Sequence, residues 1–210
     1  MSRLPPLPDR ASIPEHEWPL YDAVKARQAS LWKDAEYDSN AYFGALLNSP
    51  PLASALAELG KVVRQSQLRG SFSDAEREFV DMLYSAEFDY WTIGLLHLAD
   101  ALACGVRLEA IEAFANGRED QLTAAEAQLA DMVRRIISGR MTDESYAALQ
   151  ARFGQRGAVE FTGFVGFLQC TFRLWQALGV PDIGREAFKA GVARYRAGEM
   201  VLPPAEARQG

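Results

Sequence analysis

The sequence predicts an all-α fold, and three observations carry that expectation. Apolar residues recur at intervals of three, four and seven. Helix-starting and helix-stopping residues punctuate the chain at helical lengths. No stretch combines alternating apolar residues with hairpin turn chemistry. At 210 residues the chain can bury a substantial core, and the even spread of apolar residues predicts one domain over residues 1–210.

The elements follow in order. Met1 to Pro14 holds Pro5, Pro6, Pro8 and Pro14, which excludes a continuous helix and predicts an extended arm. From Glu15 to Lys33, Trp18, Tyr21, Val24 and Leu31 mark one face of an amphipathic helix, with His16 solvated between Glu15 and Glu17. A short helical turn is expected over Asn40 to Leu47. Asn48-Ser49-Pro50-Pro51 then sets a capping side chain before proline in a first turn, and LASALAELGKVV continues as helix with Gly60 inside it. Gln65 to Gly70 reads as a polar connector.

Ser73-Asp74-Ala75-Glu76 is a capping box, in which the serine hydroxyl and the glutamate carboxylate satisfy amides at a helix start. It opens the stretch from Ser73 to Val106, which Gly105 stops. Leu108 to Ala115 is a short helix closed by Asn116-Gly117. Thr123-Ala124-Ala125-Glu126 is a second capping box, leading a helix through Leu129, Met132, Val133, Ile136 and Ile137 to Gly139. Thr142 caps a helix carrying Tyr146, Leu149 and Phe153 that Gly154 ends. Gly157 to Leu178 is apolar on more than one face, which predicts a helix buried all round, in the fold or in a subunit interface. Gly179-Val180-Pro181 stops it, Arg185 to Tyr195 forms a last helix, and 197–210 reads as a loose tail. Both capping boxes lead to helices with similar endings, Cys104-Gly105-Val106 and Leu178-Gly179-Val180, which hints at a duplicated helical unit.

Composition excludes several functions. The net charge is −6 and the basic residues are scattered among acids, so no basic stripe offers itself to nucleic acid. No apolar run reaches the roughly 18–20 residues of a membrane span, and no signal-peptide layout opens the chain, so a cytoplasmic protein is expected. Cys104 and Cys170 lack a second thiol or histidines at redox or zinc spacing, and read as buried small residues; no metal site is expected. Without a strand there is no place for a phosphate-cradling glycine loop, and no haem, flavin or nicotinamide cofactor is expected.

One histidine stands on an apolar helical run. His97 lies among Gly94, Leu95, Leu96, Leu98 and Ala99, where an imidazole must find a partner or stay neutral. It is either a satisfied core histidine or half of an acid–base pair with Glu78, 19 positions earlier. In one unbroken helix the two would lie roughly 100° apart around the axis. They meet only if the segment bends near Ser85 to Asp89 and packs back on itself. Asp81, Glu87 and Asp89 read as a solvated face or as ion-pair partners. Asp100, one turn after His97, could orient the imidazole. Tyr90 and Trp91 read as core or interface aromatics or as substrate contacts. Arg173 is the unusual charge of the apolar helix, paired with an acid or gripping a substrate carboxylate.

A capping box, then Glu78, then His97, then Cys104-Gly105-Val106, followed by the second capping box and Leu178-Gly179-Val180-Pro181, resembles the carboxymuconolactone decarboxylase and alkylhydroperoxidase D-like superfamily. The LPPLPDR arm and the Asn48-Ser49-Pro50 turn resemble its longer members, and the resemblance covers roughly residues 4–185. It implies an all-helical trimer or dimer of trimers with pockets beside the central helices. In the thiol peroxidase branch the glutamate and histidine relay protons to a CxxC pair; here Tyr90 and Ile93 occupy the cysteine positions, and Cys104 does not replace the pair. In the decarboxylase branch an acid stands four residues before the histidine, where this chain again has Ile93.

The resemblance and residues together suggest a cofactor-independent lyase or isomerase acting on a small carboxylated or lactone substrate. His97 would be the acid or base, Glu78 its partner and Tyr90 a hydrogen-bond donor, with Trp91, Ile93, Asp100 and Arg173 toward the substrate. The alternative is a non-catalytic helical oligomer in which Glu78 and His97 satisfy each other.

Overall fold

The computed structural model describes residues 3–4, 7–31, 40–65 and 69–202, and its described residues form nine α-helices and no strand. In order these are α1 (Trp18–Leu31), α2 (Asn40–Leu46), α3 (Pro50–Arg64), α4 (Asp74–Glu87), α5 (Trp91–Ala103), α6 (Leu108–Asn116), α7 (Ala124–Ser138), α8 (Asp143–Leu178) and α9 (Arg185–Arg196). The expected all-α class is what the chain adopts. Lys33, the centre of the Gln65 to Gly70 connector and residues 203–210 of the tail lie outside the described residues.

The helix boundaries follow local chemistry. Both capping boxes form: Ser73 Oγ accepts from Glu76 N and Thr123 Oγ1 from Glu126 N, while each glutamate accepts from the backbone amide of its cap. Each glutamate also holds an arginine, Glu76 with Arg152 of α8 and Glu126 with Arg107. Gly117 and Gly139 close α6 and α7 in the left-handed conformation. Gly154, at φ 71° and ψ 173°, interrupts α8 where the sequence places a helix end. Trp18 starts α1 later than Glu15 because Glu15–Glu17 forms a 3-10 turn after Pro14. The arm is not wholly extended, since Arg10–Ser12 makes another such turn, capped by Asp9.

The chain divides into two compact units, one of residues 1–62 with 170–181, the other of 63–169 with 182–210. In the first unit Tyr21 donates to Pro8 O, the Tyr42 ring meets Trp175 edge-on at 4.5 Å, and Arg3 donates to the carbonyls of Gln176 and Ala177. In the second, α4 and α5 form an antiparallel hairpin, with a core of Phe72, Phe161, Phe164, Leu83, Leu98 and Ile111. Tyr84 crosses that core to donate to Val165 O at 2.7 Å, and burial raises its pKa far above the ordinary value.

Two expectations are corrected. Within the single chain the stretch from Gly157 to Leu178 is not buried all round, which removes the alternative of a helix inside the fold and leaves that of a subunit interface: Phe161, Phe164, Val165 and Leu168 face the core, while Val159 is 64% exposed and Thr162, Gly163 and Gly166 are exposed beside it. Its apolar residues include glycines and one outward valine, which a hydrophobicity count does not separate from core positions. Cys170 is exposed on that helix, and Cys104 is half-buried with its thiol toward Ala101 O; neither is the buried small residue expected.

Candidate functional site: a buried carboxylate, guanidinium and imidazole cluster

The bend that a Glu78–His97 contact requires is present. Helix α4 ends at Glu87, Asp89 turns the chain at φ 44°, Tyr90 is extended, and Tyr90 N closes the reversal on Ser85 O. Tyr90 supplies no side-chain cap to α5; Asp182 does so from the α8–α9 connection, its Oδ1 accepting from Trp91 N, Thr92 N and Thr92 Oγ1 at 2.7–2.8 Å. Gly94 permits the close approach of the two helices, since a Cβ there would stand 2.9 Å from Ser85 Oγ and 3.1 Å from Phe188.

This packing sets Glu78 of α4 against His97 of α5, with Nδ1 2.9 Å from Oε2. Glu78 is 1% exposed and the His97 side chain 11%. Arg77 and Arg64, which the sequence reading left out, complete the cluster together with Asp81. Arg77 donates to Glu78 Oε1 at 2.8 and 3.1 Å, to Arg64 O, and pairs with Asp74. Arg64 donates to both oxygens of Asp81 at 2.8 and 3.0 Å, and Asp81 Oδ2 lies 3.8 Å from His97 Nδ1. Asp81 is 0% exposed, so it is a buried ion-pair partner and not part of a solvated face. Its position one turn after Glu78 on the same helix face was the available signal. Arg64, across the connector, left none.

Electrostatics follow from this arrangement. Burial acts to raise the Glu78 pKa, but the His97, Arg77 and Arg64 charges overcome it and hold the carboxyl below its ordinary 4.5. Burial acts to lower the His97 pKa, and the Asp81 and Glu78 carboxylates outweigh it, holding the imidazole above 6.5. An ionised Glu78 is acceptor-only, so Nδ1 is the protonated donor. Among the described residues Nε2 takes no hydrogen bond, and this nitrogen is what the cluster leaves for exchange of a proton.

Glu78, Asp81 and His97 each place a potential ligand atom within 4.8 Å of the others. The donor set does not suit a cation. Both Asp81 oxygens and Glu78 Oε1 already accept from arginine, and two guanidiniums would repel a divalent ion at the centre.

Of the remaining expected site residues, Ile93 and Asp100 flank His97 by one turn each on α5, and Tyr90, Trp91 and Arg173 make contacts of their own. Tyr90 is buried, with Thr92 as a side-chain hydrogen-bond partner and the Asp182 charge nearby, and burial raises its pKa. Trp91 is buried against Phe188 and donates its indole N–H to Asp89. Ile93 is buried on α5, and Asp100 is half-buried one turn after His97. Arg173 belongs to the other unit, where it is exposed and donates to Gln176 Oε1. A separate pocket involves Phe79, Val106, Leu129, Arg107 and Arg152 but not His97, and both arginines in it hold capping-box glutamates.

Comparison with family models, with curated proteins and with solved structures finds no match in any of the three. Among the described residues no helix is long and apolar enough to cross a membrane.

Proposed function

We propose that this protein is a cofactor-independent enzyme of the lyase or isomerase type, built on a carboxymuconolactone decarboxylase-like helical fold. His97 exchanges a proton with a small carboxylated or lactone substrate, and Glu78 orients it. The observation that carries this reading is the 2.9 Å contact between Glu78 Oε2 and His97 Nδ1, which fixes the ring and leaves Nε2 without a partner among the described residues. A positioned acid–base group contributes on the order of 10²–10⁴ in rate, enough for a one-proton reaction. The same reading makes the protein a homo-oligomer, a trimer or hexamer, and the exposed stripe of Val159, Gly163 and Gly166 on α8 supports close helix contact between copies.

The test is a thermal-shift screen of the wild type and His97→Ala against small organic acids, lactones and phenols, followed by turnover assays on whatever binds. A ligand at about 100 times its Kd adds about 2.7 kcal/mol to the wild type. Stabilisation of the wild type alone, with turnover lost in the variant, supports the reading. A second reading is favoured by one feature: every carboxylate oxygen of Glu78 and Asp81 is engaged within the cluster. In that reading the cluster braces a non-catalytic helical oligomer, no ligand binds, and His97→Ala is only less stable.

A further inference from the structure

Three carboxylates, Asp74, Glu78 and Asp81, meet two guanidiniums, Arg64 and Arg77, around His97. These five side chains sum to one negative charge, which an imidazolium beside Glu78 and Asp81 offsets. We infer that His97 rests protonated and serves as the proton donor through Nε2–H, and that Asp81, clamped by Arg64, is the positioning residue that holds it so. The donor role rests on the enzymatic reading above; the resting charge state does not.

The two carboxylates do different work. Glu78 makes the hydrogen bond and sets the ring orientation. Asp81 cannot take that bond from it, because Arg64 occupies both its oxygens and keeps Oδ2 at 3.8 Å from Nδ1. It acts on the ring as a fixed charge in a site that water does not screen. The Arg64 guanidinium opposes this charge at the ring, and Asp81 outweighs it. Helix α3 contributes Arg64, already paired; α4 contributes Asp74, Arg77, Glu78 and Asp81; α5 itself carries Asp100. Helix α9 packs Phe188 and Gly191 against α5, and among its charged residues Arg185 pairs with Asp89, Lys189 with Glu186, Arg194 with Glu199 and Arg196 with Glu112.

In the resulting step the Nε2–H bond breaks, the proton passes to a carbanion, enolate or leaving oxygen of the substrate, and the electron pair stays on Nε2. The cluster then carries one net negative charge until water returns the proton. A resting general base would require the opposite order, starting from neutral imidazole.

The experiment is an NMR titration of the ¹⁵N-histidine-labelled full-length protein. His16 is the only other histidine of the sequence, so the His97 signal is assigned by its loss in His97→Gln. The expected wild-type result is a His97 midpoint above the ordinary imidazole value of 6.5, with both ring nitrogens protonated at pH 7. Asp81→Asn is expected to lower the midpoint by about one unit, tenfold in proton affinity. The pair Asp81→Asn with Arg64→Gln leaves no unpaired buried charge and guards against a single variant that does not fold; its midpoint also falls. A wild-type His97 that titrates at or below the ordinary 6.5 overturns the inference, while leaving His97 available as a base. A midpoint that ignores both variants overturns the role of Asp81. If His97 titrates as expected but no small molecule binds, the donor role falls with the enzymatic reading and the charge state stands.

Discussion

His97 and Glu78 stand 19 residues apart in sequence and 2.9 Å apart in space, and Asp89 is the residue that makes both statements true. Its backbone occupies the left-handed region at φ 44°, which ends α4 and returns the chain along it. Asparagine and aspartate tolerate that region better than other side-chain-bearing residues. Asp89→Asn should therefore be nearly silent, while Asp89→Val should cost about 1–2 kcal/mol by urea denaturation. The exposed Asp89–Arg185 ion pair contributes little to either value.

Removing the imidazole leaves Glu78 buried with arginine as its remaining partner. His97→Ala is expected to lose about 1–3 kcal/mol at pH 7, seen as a melting temperature lower by roughly 2–12 °C for a chain of this size. A variant as stable as the wild type would mean that the 2.9 Å contact contributes nothing to the fold.

Stability should also report the two shifted groups, and their signs differ. The His97 pKa is raised by folding, so its contribution is complete below 6.5 and is lost as pH rises through the higher folded value. That of Glu78 is lowered, so its contribution is present above 4.5 and is lost as pH falls through the lower folded value. Denaturation midpoints measured across pH should be highest between about 4.5 and 6.5. His97→Gln should flatten the alkaline limb and Glu78→Gln the acid limb.

Asp182 caps α5 from a distance in sequence, accepting three hydrogen bonds at its first turn. Asp182→Ala should cost about 0.5–2 kcal/mol, as the loss of a good N-cap does. Hydrogen exchange should then quicken first at Trp91 and Thr92, whose amides lose their acceptor.

Much of this architecture is written locally. Ser73 with Glu76, Thr123 with Glu126, and the glycines at 117, 139 and 154 each act within a few residues, so the helix starts and stops could be read directly. The Glu78–His97 pair was legible as a condition, because helical geometry states where the chain must bend. What escaped is long-range. Asp182 reaches α5 across 91 positions, and the clamp of Arg64 on Asp81 forms only after the connector returns the chain. Asp81, though, had the same helix-face spacing as Glu78 and an acidic side chain, and only its burial told it from the solvated acids nearby.

Two glycines of α8 separate core packing from surface propensity. A Cβ at Gly157 would stand 2.8 Å from Ser71 O, a backbone atom that cannot swing aside, so Gly157→Ala should lose about 1–3 kcal/mol. At Gly163 a Cβ meets nothing within 4 Å, and Gly163→Ala should gain about 0.5–1 kcal/mol of helix propensity in dilute protein. The proposed assembly adds a second readout on the same variant. If copies meet along the stripe of Val159, Gly163 and Gly166, the new methyl blocks that approach. Light scattering at higher concentration should then show a smaller mass for Gly163→Ala than for the wild type, even as the protomer grows more stable. An unchanged oligomeric mass would place any subunit contact on another face.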